Sequence, residues 1–146
     1  MRAAEEDLRS GQEERALRGY RRCLDSFVMP DRDQFLVYMA VGTLLCDASR
    51  YDEAELAWNF AASACASSRS RGVECPLHLA HYASAVCSAR EGHLEEATAA
   101  LKRSLFYKPG FRSGLHDLGS LRLIEGDWEG AKFYFSQIAE EEKVEN

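Results

Sequence analysis

The chain has 146 residues, 46% hydrophobic and 29% charged, with a net charge of −6, the balance of an ordinary globular domain. An acidic chain lacks the basic face that nucleic-acid binding requires, so no nucleic-acid partner is expected. No run of 18 apolar residues is present, so no membrane insertion is expected, and three prolines with no alternating Val/Ile/Thr-rich run point to helix over strand.

The first predicted helices cover about 1–10 and 12–28. The opening "MRAAEEDLRSGQEER" is charged and carries acids, and is read as neither a secretory signal nor a transit peptide. The next pair covers 33–48 and 51–67, separated by "SRYDE", whose Asp52 and Glu53 suit a helix N-terminus. The segment "SSRSRGVECP" (67–76) is Ser/Arg-rich with a Gly and a Pro and is read as a solvated loop. A third pair follows at 77–90 and 93–107, turned by "EGHLEE". A fourth lies at 111–125 and 127–142, turned by "EGDWEG". The closing "AEEEKVEN" is an acidic helix end. The five cysteines (Cys23, Cys46, Cys65, Cys75, Cys87) are odd in number and sit mostly inside helix-like segments. They are expected to be reduced thiols packed as small apolar groups in a protein of a reducing compartment, cytoplasmic or nuclear.

One phrase returns along the chain. "RYDEAELAWNFA" (50–61) comes back as "GHLEEATAALKRS" (92–104) and "GDWEGAKFYFSQI" (126–138), with a fainter copy in "GQEERALRGYRRC" (11–23). Each copy pairs an alanine with a large apolar residue four positions on: Ala16 and Tyr20, Ala54 and Trp58, Ala97 and Leu101, Ala131 and Phe135. Twelve residues before each alanine stands a small residue: Ala4, Gly42, Ala85 and Gly119. A constant internal interval in a unit of about 34 residues marks stacked helical units. Packed helices need small side chains where their backbones approach most closely, so Gly42 and Gly119 are expected to face the second helix of their pair at Ala54 and Ala131, with Trp58 and Phe135 beside them.

These spacings resemble the tetratricopeptide repeat (TPR) family, W-x2-L-G-x2-Y, then A-x3-F, then P. The second copy reads Tyr38-x2-Val41-Gly42-x2-Leu45, then Ala54-x3-Trp58. The fourth reads Leu115-x2-Leu118-Gly119-x2-Arg122, then Ala131-x3-Phe135. The third is weaker, His81-x2-Ser84-Ala85-x2-Ser88, but regains Ala97-x3-Leu101 and ends on Pro109; the first is truncated. The resemblance implies an all-α, right-handed superhelical solenoid of antiparallel helix pairs. It would form a single domain over 1–146, with repeats at about 1–30, 35–68, 78–111 and 112–146.

The resemblance further implies a groove lined by the first helix of each repeat, taking a peptide or helix of a partner protein. The groove residues are then Leu36, Met39, Thr43 and Cys46, followed by Leu79, Tyr82, Val86 and Arg90. The last repeat adds Ser113, His116, Asp117, Ser120 and Leu123, and the first offers Glu5 and Arg9. Hsp70/Hsp90 co-chaperones of this family clamp a carboxylate with lysine, asparagine and arginine. The matching places here hold Met1 and Glu5, Ala40, and Leu79 and Ala83, so a co-chaperone clamp is not expected. On the last helix Phe133 and Tyr134 point away from the expected interior, which makes the C-terminal end a second contact surface, toward a partner subunit or a second copy.

Catalytic and metal chemistry find little support. "CPLHLAH" offers Cys75, His78 and His81, but three or four ligands must converge and the spacing turns His81 away, so no metal is expected. Cys87 and His93 fall on different helices, no phosphate-cradling glycine motif is present, and the acidic pairs lie on exposed faces. The expectation is a non-catalytic adaptor or structural subunit without a cofactor, with a recognition domain of a longer enzyme chain, or a co-chaperone adaptor lacking the usual clamp residues, as the alternatives.

Overall fold

The structure, a computed structural model, describes residues 2–26, 30–70, 72 and 75–145. Side chains are described for these residues except 2–10, 23, 24, 26, 70 and 141–145. The described residues form seven α-helices and no strand. They divide into two compact units, residues 1–76 and 77–146. The first unit holds α1 (Arg2–Ser26), α2 (Asp31–Asp47) and α3 (Tyr51–Ser70). The second holds α4 (Leu77–Glu91), α5 (Leu94–Tyr107), α6 (Arg112–Ile124) and α7 (Trp128–Glu145).

Two helices expected at 1–10 and 12–28 are one continuous helix, α1. Ser10–Gly11 was read as a break, but one glycine costs a helix only about 1 kcal/mol, and no proline follows to remove a backbone donor. Ala4 and Ala16 therefore lie along the same helix and do not face each other across a pair. Leu17 is the buried apolar residue of α1. The guanidinium of Arg50, at the start of α3, donates to Glu14 of α1 at 2.5 Å and to both carboxylate oxygens of Glu53 at 3.1 and 2.6 Å.

The three tight turns share one construction. Ser49 (φ 61°), Gly92 (φ 89°) and Gly126 (φ 80°) take left-handed backbone after α2, α4 and α6. The next residue then bonds back to the helix it has left, Arg50 N to Leu45 O at 2.8 Å, His93 N to Ser88 O at 2.9 Å, and Asp127 N to Arg122 O at 2.8 Å. This closes the last carbonyls of each helix and sends the chain back antiparallel. Asp127 then caps α7, its Oδ1 accepting from Gly130 N at 2.9 Å.

Within these pairs the small residues stand where the backbones approach. Gly42 on α2 lies against the indole of Trp58 on α3, and a Cβ on Gly119 of α6 would meet Phe135 Cε1 of α7 at 2.6 Å. Ala54 and Ala131 are both buried beside them. The first unit's core gathers Phe35, Leu45, Ala54, Trp58, Ala61 and Cys65. The second unit's core is the cluster Ala85, Ala97, Ala100, Leu101, Leu118 and Leu121, with Tyr82, Leu94, Leu105 and Tyr134 packed on it.

The expectation of five reduced thiols is corrected. Cys65 of α3 and Cys75, just before α4, are joined by a disulfide with Cα atoms 5.5 Å apart. They are ten positions apart in sequence, so the segment read as a plain solvated loop is stapled to the end of α3. Cys46 and Cys87 are buried thiols, as packing of small apolar groups requires, and the side chain of Cys23 lies outside the described residues. None of the described helices is long and apolar enough to cross a membrane.

Candidate functional site

The expected groove residues fall in both units. Leu36, Met39 and Thr43 lie at helical spacing along α2, with Leu36 57% exposed, Met39 half-buried and the Thr43 hydroxyl donating to Met39 O at 2.9 Å. Cys46, expected beside them, is buried and is no surface residue. The side chains of Glu5 and Arg9 lie outside the described residues.

In the second unit, Tyr82 of α4 bonds Asp117 of α6, so the two helices stand side by side, and two clefts meet at Asp117. The first, of about 580 Å³, is lined by Tyr82 of α4, by Arg112, Ser113, His116 and Asp117 of α6, and by Phe135, Ile138 and Ala139 of α7. The second, of about 370 Å³, is lined by Ala85, Val86, Ala89 and Arg90 of α4, Ala97 and Leu101 of α5, and Asp117, Ser120 and Leu121 of α6. Tyr82, Val86, Arg90, His116, Asp117 and Ser120 are thus brought together. Leu79, 37% exposed, lines neither cleft.

Asp117 is common to both clefts. Its Oδ2 accepts the Tyr82 hydroxyl at 2.9 Å, bridging α4 to α6, and its Oδ1 lies 3.2 Å from His116 Nδ1. Burial first, and then the bond to the Asp117 carboxylate and its charge, push the Tyr82 hydroxyl above its usual range; a bond from Ser113 opposes them. Phe111 packs beside Tyr82, its ring edge-on to Tyr82 at 5.2 Å and to His78 at 4.8 Å. The Ser120 hydroxyl is turned inward along the helix to His116 O at 3.0 Å.

Sequence reasoning missed the α7 wall. Phe135 was read as a filler beside Gly119, and it is one, but its other face and Ile138 form a side of the first cleft. The signal was in the sequence, since a residue one turn after Phe135 on the same face falls in line with it. The C-terminal pair also needs correction. Tyr134 is half-buried and packs on the core cluster of the second unit. Phe133 is 61% exposed, and its ring lies edge-on to Tyr134 at 5.3 Å. The turn of α7 sets Tyr134 onto the cluster that holds Leu118 and Leu121.

The hydroxyls that line the two clefts are those of Tyr82, Ser113 and Ser120, and the carboxylate, that of Asp117, is shared between a phenol and an imidazole. Among the described residues no three His, Cys, Asp or Glu side chains converge as a metal site would need, and Cys75 is committed to Cys65.

No protein-family model matches the sequence, and no curated protein matches it. Solved structures do. MamA RS-1 ArsTM, a double mutant, superposes with a TM-score of 0.69 at 18% identity, over 93% of this chain and 69% of that one. MamA MSR-1 C2 gives 0.64 at 17% identity, over 95% and 72%. PilW, described as a widely conserved type IV pilus biogenesis factor, gives 0.61 at 24% identity, over 87% of this chain; the chain spans about half of PilW, 52%. MamA and PilW are TPR-repeat proteins, and the fold of this chain is TPR-like, all-α and built of packed helix pairs.

Proposed function

We propose that this chain is a non-catalytic protein-interaction module, an adaptor or a structural subunit of a larger assembly, and that it holds a segment of a partner protein along the α4–α6 face. The observation that carries the reading is the pair of clefts meeting at Asp117, with apolar floors and a rim of Arg90, Arg112, His116 and Ser120. A face of that length, apolar below and polar along both edges, suits a helix or an extended peptide. Folds of packed helix pairs of this kind commonly serve as scaffolds, which agrees with the reading. Phe133 is the residue we assign to a second contact, at the C-terminal end.

A photo-crosslinking amino acid at Ser120, compared with one at Lys132 on the exposed side of α7, tests the reading in the native source. Partner adducts are expected from Ser120, and Tyr82→Ala should reduce them while the helical circular dichroism is kept. Adducts from Lys132 alone would move the site off the α4–α6 face.

The compartment is read from the sulfur chemistry. Disulfides persist in oxidising compartments and are rare where thiol buffers act. The Cys65–Cys75 bond therefore supports an oxidising compartment in place of the cytoplasmic one expected from the sequence. Alkylation of thiols in intact cells before lysis decides: Cys65 and Cys75 should escape the reagent.

A further inference from the structure

The two halves of the Cys65–Cys75 bridge stand in different surroundings. Cys65 lies within α3 at 0% exposure, on a face it shares with the buried Ala61, Ala64 and Ser68. Cys75 is half-buried, belongs to neither α3 nor α4, and is followed by the exposed Pro76. In thiol–disulfide exchange the incoming thiolate must reach the sulfur it attacks, so access decides which half of a bridge reacts. A small thiol has a way in at Cys75 and none at Cys65.

Opening the bond leaves the helices whole. α3 runs on to Ser70, five residues past Cys65, by its own backbone bonds. Cys65 as a thiol is a small apolar group in a buried place, the state in which Cys46 and Cys87 already stand. As a thiolate it is disfavoured, because no water reaches the charge. Its former partner is also close, with Cα atoms 5.5 Å apart. A displaced Cys65 therefore returns to Cys75 faster than a second free thiol can reach it.

We propose that Cys75 is an exchange site for small thiols of the glutathione class, with Cys65 as its resolving thiol. The incoming thiolate forms an S–S bond to Cys75 Sγ as the Cys65–Cys75 bond breaks. The electron pair of that bond leaves on Cys65 Sγ, which takes up a proton. The reverse attack, by the Cys65 thiolate on Cys75 Sγ, expels the small thiol and restores the bridge. From the dithiol, with a small-molecule disulfide as oxidant, the same residues act in the same order. Cys75 takes one half of the disulfide and releases the other as thiol; Cys65 then closes the bridge and releases the second thiol, so one disulfide is consumed for the one made. The site requires the bridge and nothing of the α4–α6 clefts.

The native protein tests this without any variant. It is incubated with limiting reduced glutathione, quenched in acid, capped with N-ethylmaleimide in denaturant, digested with trypsin and sequenced by mass spectrometry. Arg69 and Arg71 separate the two cysteines. Trapped molecules should carry glutathione on Cys75 and maleimide on Cys65, in excess over the opposite pattern by about tenfold or more. Removing the resolving thiol should make the adduct last. Cys65→Ala, reduced and then given glutathione disulfide, should hold one glutathione on Cys75, whereas Cys75→Ala, with its helical circular dichroism kept, should take none on Cys65. Cys65→Ser serves where Cys65→Ala does not fold. Glutathione on Cys65, or on both residues alike, overturns the proposal, and so does a bridge that yields only in denaturant, which would be a structural staple. Both cysteines capped in protein never given glutathione would remove the bridge, and with it this proposal and the oxidising compartment, while the α4–α6 reading stands.

Discussion

Gly42 and Trp58 are in contact through the space a side chain would need: a Cβ on Gly42 would lie 2.7 Å from Trp58 Cδ1. The indole is 4% exposed and has nowhere to go. Gly119 meets the edge of Phe135 in the same way, at 2.6 Å, but Phe135 is half-buried on the open side of a cleft and can swing outward. Replacing a helical glycine with alanine gains about 1 kcal/mol, whereas overpacking costs about 1–3 kcal/mol. Gly42→Ala should therefore lose up to about 2 kcal/mol net, and Gly119→Ala should lose less than Gly42→Ala. Gly11→Ala and Gly19→Ala on α1, where a Cβ meets nothing within 4 Å, should gain about 0.5–1 kcal/mol. Urea unfolding of the four variants checks the order. Equal losses at 42 and 119 would show that the indole yields as easily as the phenyl ring.

The Cys65–Cys75 bond closes a short loop, and loops of this size lose about 2–3 kcal/mol of stability when their bridge is removed. Digestion with trypsin without reductant should release the two cysteines as one linked pair of peptides, since Arg69 and Arg71 lie between them. The double variant Cys65→Ala/Cys75→Ala should unfold at a lower temperature, and a reductant should then have no further effect on it. Full alkylation of both thiols in the unreduced protein would remove the bridge from the native state.

Two histidines should make the second unit sensitive to acid. Burial first, then Lys108, lowers the His78 imidazole, and burial first, then Arg103, lowers that of His81. His81 also stacks flat on Tyr107, with ring centroids 5.5 Å apart. The folded state thus holds both rings neutral more firmly than the unfolded chain does. Their contribution is whole above the unfolded value of about 6.5 and is lost as pH falls from there through the lowered folded values. The thermal midpoint should drop between pH 7.5 and 5.5, and His78→Gln/His81→Gln should flatten that slope whatever it does to the midpoint at pH 7.5. An unchanged slope in the double variant would assign the acid sensitivity elsewhere.

The sequence by itself determined the helices from α2 onward and the contacts inside each pair. These depend on information within about 34 residues: apolar period, a turn residue able to take left-handed backbone, and a small residue twelve positions before an alanine. Ser49, Gly92 and Gly126 end three helices by the same local bond, so the ends at 47, 91 and 124 were legible to within one residue. Gly42 and Trp58 were paired correctly because a short turn leaves two helices only one way to pack. The same local rule misread Gly11, since a glycine ends a helix only when the following residues bond back, and those of α1 continue it.

What the tertiary structure alone decided concerns residues far apart in sequence or gaps with no residue in them. Tyr82 and Asp117 are 35 positions apart, and neither residue type announces the other; their bond exists because α5 brings α4 and α6 side by side. Cys65 found Cys75 because the chain after α3 turns back to within 5.5 Å, a distance that composition cannot encode. Tyr134 was expected at the surface because periodicity orients a side chain but does not say how far the neighbouring core extends. The two clefts of the second unit likewise draw their linings from helices far apart in sequence, α4 with α6 and α7 in one and α4 with α5 and α6 in the other, so only the packed assembly of helices creates them.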